Sequence, residues 1–174
     1  MKTLVVYSSR TGNTRMVAEA IHGVMPEGTE IFPVESAPDP AGYGFIALGF
    51  WVDKGGPDAA MAGYMGRVRN AAVGLFGTLG AWPDSDHARE SMQKAVDCAA
   101  GNRVLGTFIC QGKVDPRLLA AMEKMPEAAR AHPMTEERRA RIAEAAKHPD
   151  EKDCAAAREA FAGILRKLEA GGAS

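Results

Sequence analysis

The run Thr3-Leu-Val-Val-Tyr7 is continuously apolar or β-branched, and the seven residues after it, Ser8 to Thr14, are all polar or glycine. A run of that kind without polar alternation predicts a strand buried on both faces. Beyond the turn, Val17, Ala20, Ile21 and Val24 recur at helical spacing until Pro26 and Gly28 stop the helix. A doubly buried strand that feeds a helix through a short polar turn is the opening of an α/β fold.

The same alternation continues down the chain. Glu30 to Val34 is short and carries Pro33, which suits an edge strand. Tyr43 to Phe50, Ala71 to Gly77 and Arg103 to Cys110 are the next three strands, and the first two of them end in glycine-rich loops. Met61, Tyr64, Met65 and Val68 mark a helix face, and Asp84 to Ala99 is a further helix with Met92, Ala95, Val96 and Ala99 inward. The remainder predicts helices over about Pro116 to Met125, Thr135 to Lys147 and Glu151 to Glu169, the last with Phe161, Ile164, Leu165 and Leu168 as its apolar stripe. Five strands alternating with helices imply a parallel sheet covered on both sides. No linker or repeat divides the 174 residues, so the expectation is one domain over 1–174 with a helical embellishment at about 111–150, which includes His132-Pro133-Met134.

Charge and composition exclude several classes of function. Twenty-one Lys and Arg against 22 Asp and Glu give a net charge of -1, which argues against a nucleic-acid partner held by a basic face. No stretch approaches the ~18 apolar residues of a membrane span, and the start does not read as a secretory signal. The 3 cysteines, Cys98, Cys110 and Cys154, are widely spaced and read as reduced thiols, so the expected compartment is cytoplasmic. The 4 histidines, His22, His87, His132 and His148, have no ligand-like spacing, and no metal is expected. Asp84-Ser85-Asp86 before His87 is a helix start rather than an acid/base set. Arg138, Arg139 and Arg141 interleave with Glu136, Glu137 and Glu144 as an ion-paired surface.

The loop Ser8 to Thr14 carries the chemistry. A dianionic phosphate needs several donors in little space, and the hydroxyls of Ser9, Thr11 and Thr14 can each donate. Gly12 lets backbone N–H groups turn inward at a helix N-terminus, where N–H groups are unpaired and the partial charge is positive. The plainer alternative is a turn with Thr11 or Asn13 as an ordinary cap. Neither a nucleotide triphosphatase loop nor the three-glycine dinucleotide fingerprint is present.

The pattern Val5-Val6-Tyr7-x-Ser9-x-x-Gly12-x-Thr14-x-x-x-Ala18-x-x-Ile21 resembles the signature of the flavodoxin family at every specified position. That resemblance implies a doubly wound, five-stranded parallel sheet in the order 2-1-3-4-5 with helices on both faces. It implies FMN as cofactor, its phosphate held by Ser9, Arg10, Thr11, Gly12, Asn13 and Thr14. The ring would be framed by Trp51, Val52 and Gly55 after the third strand and by Thr78, Leu79 and Gly80 after the fourth. Trp51 offers a flat surface to an aromatic ring; alternatively Phe50 and Trp51 pack in the core and the glycines make a turn. Many flavodoxins place a tyrosine after the fourth strand to stack on the ring, and Trp82 is the aromatic available here. Lys54 reads as a solvated loop charge, and Gln111-Gly112-Lys113 lies on the same sheet edge, where closing over the flavin and receiving a partner are open alternatives.

The function implied is electron transfer between redox partner proteins, a reductase donor and an acceptor enzyme, with no catalytic side chain required. Two alternatives stand beside it. One is an NAD(P)H-dependent oxidoreductase acting on a quinone or other small acceptor; the other is a flavin-free interaction module.

Overall fold

A computed structural model describes residues 1–126 and 134–171 of the chain. Its centre is β1 (Thr3–Tyr7), which pairs in parallel with β2 (Glu30–Pro33) on one side and with β3 (Phe45–Asp53) on the other. Next to β3 lies β5 (Ala72–Leu79) and then β6 (Arg103–Gln111), both parallel, so the sheet runs β2-β1-β3-β5-β6. With the short β4 (Gly56–Pro57) set aside, this is the expected order 2-1-3-4-5.

Strand β4 does not appear in the sequence reading. It folds back antiparallel on the end of β3, Val52 opposite Pro57 and Asp53 opposite Gly56. The reversal is made by Lys54 and Gly55, whose φ angles of 49° and 76° are both left-handed, as a two-residue hairpin turn demands. Strand β3 also runs three residues beyond its sequence-predicted end at Phe50, and β5 runs two beyond Gly77. Their backbone ladders continue until Trp51 pairs with Thr78, so both residues sit on strand ends rather than in loops.

Each face of the sheet carries its own core. Leu4, Val6, Leu48, Phe50 and Leu75 face Met61, Tyr64 and Met65 of α2 (Ala59–Met65) and Met92 of α3 (Asp86–Cys98). Val5, Ala47 and Phe76 face Val17 and Ile21 of α1 (Asn13–His22) and Phe161 and Ile164 of α6 (Glu151–Gly171). Burial on both faces is why β1 reads as unbroken apolar sequence.

Between β6 and α6 lie α4 (Pro116–Lys124), which buries no residue, and α5 (Glu136–Ala145), which buries only Ala145. His132 and Pro133 lie outside the described residues. At the α5–α6 elbow the structure assembles a group that histidine spacing did not disclose. His148 Nδ1 and Asp153 Oδ2 are 2.6 Å apart, Asp150 N donates to the same oxygen, and Asp153 N donates to Asp150 Oδ1. These bonds form a reciprocal cap on the start of α6 and use the ligand atoms among themselves.

A candidate ligand site at the carboxyl edge of the sheet

The turn from β1 into α1 is organised by Ser9, whose Oγ accepts from Gly12 N and Arg15 N, each at 3.2 Å. Gly12 holds φ +92°, a left-handed conformation that an L side chain rarely adopts. The N-cap residue of the helix that follows, Gly12, has no side chain to cap it, and the first turn carries no acidic residue, so no carboxylate offsets its positive end there. The N–H groups of Asn13 and Thr14 have no partner among the described residues. Thr11 is exposed, and the proton of the Ser9 hydroxyl is left over. Thr14 differs: it is buried, with Oγ1 2.9 Å from Thr78 Oγ1. Two hydroxyls that share one bond retain one proton between them to donate elsewhere.

Beside the loop opens a cavity of about 220 Å³. Its walls are Arg10, Thr11 and Asn13 of the loop, Trp51 and Val52 at the end of β3, and Thr78, Leu79 and Gly80 at the end of β5. The fourth wall is the segment after β6, Gly112 to Asp115, with Leu118 of α4. This segment is tied down at three points. Gly112 N donates to Leu79 O, Lys113 N donates to His148 O, and Asn13 Nδ2 donates to Lys113 O. Two close approaches fix it further: a Cβ on Gly80 would stand 2.8 Å from Val114 Cγ2, and one on Gly112 would stand 2.8 Å from Asn13 Nδ2.

Charge at the mouth is concentrated in one group. The Arg10 guanidinium lies over the Trp51 ring, 5.6 Å from its centroid, and Arg10 Nε is 3.6 Å from Asp115 Oδ2. Asp115 caps α4 and is buried, and it is held below the usual carboxylate range chiefly by the Arg117 backbone N–H, then by the Arg117 side chain and Arg10. Two buried polar atoms near this edge have no partner among the described residues. One is Nε2 of Gln111, the register partner of Leu79. The other is Oδ2 of Asp58, whose Oδ1 accepts from Ser8 Oγ at 2.7 Å and from Met61 N.

Eight of the residues singled out in the sequence thus share one cavity: Arg10, Thr11, Asn13, Trp51, Val52, Thr78, Leu79 and Gly80. Ser9, Gly12 and Thr14 shape the loop next to it without lining it. Gly55 stands apart at the β3–β4 turn, where its neighbours are Lys94 and His87 of α3. Trp82 is exposed and does not line the cavity. The sequence places the Gln111-Gly112-Lys113 turn on this sheet edge without assigning it to the site, and its Gly112 and Lys113 line the cavity; Val114, Asp115 and Leu118 are missed.

The model of the flavodoxin domain family matches residues 4–162. The chain belongs to the flavodoxin domain family. It is 32% identical over 158 residues to the flavodoxin-like domain-containing protein BilS of Clostridioides difficile strain CD3, which spans 88% of this chain and 90% of that protein. The protein of the same name from Clostridium symbiosum strain WAL-14163 is also 32% identical, over 178 residues, covering 90% of this chain and 92% of its own. Among solved structures, oxidised flavodoxin 2 from Bacillus cereus superposes with a TM-score of 0.61 at 16% identity, covering 96% of this chain and 99% of that one. This flavodoxin domain thus places its loop and cavity where open α/β sheets bind ligands, beyond the carboxyl ends of the strands at the switch point between β1 and β3.

Proposed function

We propose that this flavodoxin-domain protein binds FMN at the β1–α1 loop and carries electrons between a reductase and an acceptor enzyme. The observation that carries the reading is the start of α1, where the N–H groups of Asn13 and Thr14 have no partner among the described residues and the hydroxyls of Ser9 and Thr11 lie on the same loop. That donor set fits a phosphate dianion. Trp51 supplies a flat wall of the cavity, and Gln111 at the end of β6 holds a buried Nε2 without a partner among the described residues. Bound FMN would supply reversible one- and two-electron chemistry. The protein's own residues would anchor the phosphate, orient the ring against Trp51 and keep water from one face.

The segment from Gly112 to Leu118 lines the same cavity as the β1–α1 loop, and the carrier reading is preferred because it requires no catalytic side chain. The unpaired donors of the loop argue against a flavin-free interaction module. The face offered to a partner carries exposed Arg10, Lys113 and Arg117 around exposed Leu118, a cationic and apolar surface. Its three free cysteines suit a reducing, cytoplasmic setting.

The test is a titration of the flavin-free protein with FMN and with riboflavin, followed by flavin fluorescence. Saturable quenching by FMN with much weaker riboflavin binding supports the site; no FMN binding at micromolar concentration overturns it. Consumption of NAD(P)H by the FMN-loaded protein alone would overturn the carrier assignment in favour of an enzyme.

A further inference from the structure

Resting on the FMN reading, we infer that Arg10 is an affinity-determining residue of the site because it competes with the flavin ring for the cavity face of Trp51. Arg10 and Trp51 line the same cavity, and the guanidinium lies over one face of the Trp51 ring, 5.6 Å from its centroid; we take that face as the one a ligand in the cavity would use. A planar ring must approach an aromatic plane closely to stack on it, and a guanidinium in that place excludes it. Ring stacking on Trp51 therefore requires Arg10 to leave.

The side chain is held so that it can leave. Arg10 is 55% exposed, and its contact with Asp115 is long, 3.6 Å from Nε to Oδ2. Asp115 does not depend on it: Oδ1 accepts from Arg117 N at 2.9 Å, and Arg117 Nε and Nη2 lie 3.3 and 3.4 Å from the two carboxylate oxygens. When Arg10 swings away, no buried charge is left unpaired, which is the usual cost of breaking such a contact. The loop backbone need not move either, since Ser9 and Gly12 fix it through bonds in which the Arg10 side chain has no part.

Arg10 thus acts as a cover that lowers the affinity of every ligand that stacks on Trp51, whatever its phosphate. Riboflavin reads this effect most directly, because it lacks the phosphate charge that a cation at position 10 also attracts. The experiment compares wild type, Arg10→Ala, Asp115→Asn and the double variant by fluorescence titration with riboflavin and with FMN. Asparagine is as good a helix cap as aspartate, so Asp115→Asn keeps the start of α4 while loosening Arg10. Arg10→Ala is expected to tighten riboflavin binding about three- to tenfold and FMN binding by a smaller factor. Asp115→Asn is expected to tighten riboflavin binding about twofold when Arg10 is present and not when it is alanine. Affinity for both ligands that is unchanged or reduced in Arg10→Ala overturns the inference; a loss confined to FMN would make Arg10 a phosphate ligand instead. Failure of all four proteins to bind FMN would overturn the flavin reading itself, a result distinct from equal binding by all four, which removes only the role of Arg10.

Discussion

Thr11 and Thr14 look interchangeable in the sequence and are not so in the fold. Thr11 is exposed at the cavity, whereas Thr14 is buried with its hydroxyl against that of Thr78. Truncating Thr11 removes one donor to a charged phosphate, worth about 1.5–3 kcal/mol, so Thr11→Ala is expected to weaken FMN binding roughly ten- to a hundredfold with an unchanged melting temperature. Truncating Thr14 strands the Thr78 hydroxyl in a buried position at a cost of about 1–3 kcal/mol. Thr14→Ala should therefore lower the melting temperature as well as FMN affinity, and thermal denaturation of the two variants separates the roles. If both variants melt alike, the buried hydroxyl pair does not stabilise the fold. Spacing alone marks both threonines as donors, because sequence gives no account of which hydroxyl is already spent on a neighbouring strand. Gly55 illustrates the same limit: a glycine in the right loop, it is used by the backbone of a hairpin and faces α3 rather than the cavity.

Elements were legible where one physical signal dominated. The doubly buried β1, the proline-bearing edge strand β2 and the apolar stripe of α6 follow from burial pattern alone. The extra length of β3 and β5 was not legible, since glycines normally weaken strands and here sit inside them. The reason lies across the ladder: Gly49 pairs with Phe76 and Gly77 with Phe50, and each aromatic ring lies over its glycine partner. Phe76 also packs edge-on against Phe161, with centroids 5.7 Å apart, which limits how far its ring can yield. Gly49→Ala would drive a methyl group into that ring and is expected to destabilise the fold by about 1–3 kcal/mol, read as a lower denaturation midpoint. A Gly49→Ala protein as stable as wild type would show that the ring has room to move. The α5–α6 elbow gives a second test. Its His148 is raised above the ordinary imidazole range chiefly by the hydrogen bond to Asp153. A raised folded-state pKa contributes stability that is complete below the unfolded value of about 6.5 and is lost as pH rises through the folded value. The melting-temperature gap between wild type and His148→Gln should therefore be widest in mild acid and close toward alkaline pH; a gap independent of pH would contradict the ion pair.

Cavities open at both edges of the sheet among the described residues, and the larger is not the one proposed for the ligand. The larger, about 920 Å³, lies at the amino ends of the strands, among Thr3, Gly44, Ala72 and Arg103 with Leu165 and Leu168 of α6. Among the described residues its lining includes no helix N-terminus and no aromatic side chain, and ligands of open parallel sheets bind at the other edge. Stability linkage can decide between them. A ligand that binds only the native state at a hundred times its dissociation constant adds about 2.7 kcal/mol. For a chain of this size each kcal/mol moves the melting temperature by about 2–4 °C, so saturating FMN should raise it by roughly 5–11 °C. The ends of β1, β3, β5 and β6 all meet at the smaller cavity, so the gain should belong to the whole fold and appear as one cooperative transition. Thr11→Ala should lose most of the shift at the same FMN concentration. Arg103→Ala, which alters the larger cavity, should keep the whole of it. The reverse pattern would move the ligand to the amino edge of the sheet and leave the β1–α1 loop as a turn whose donors face only water.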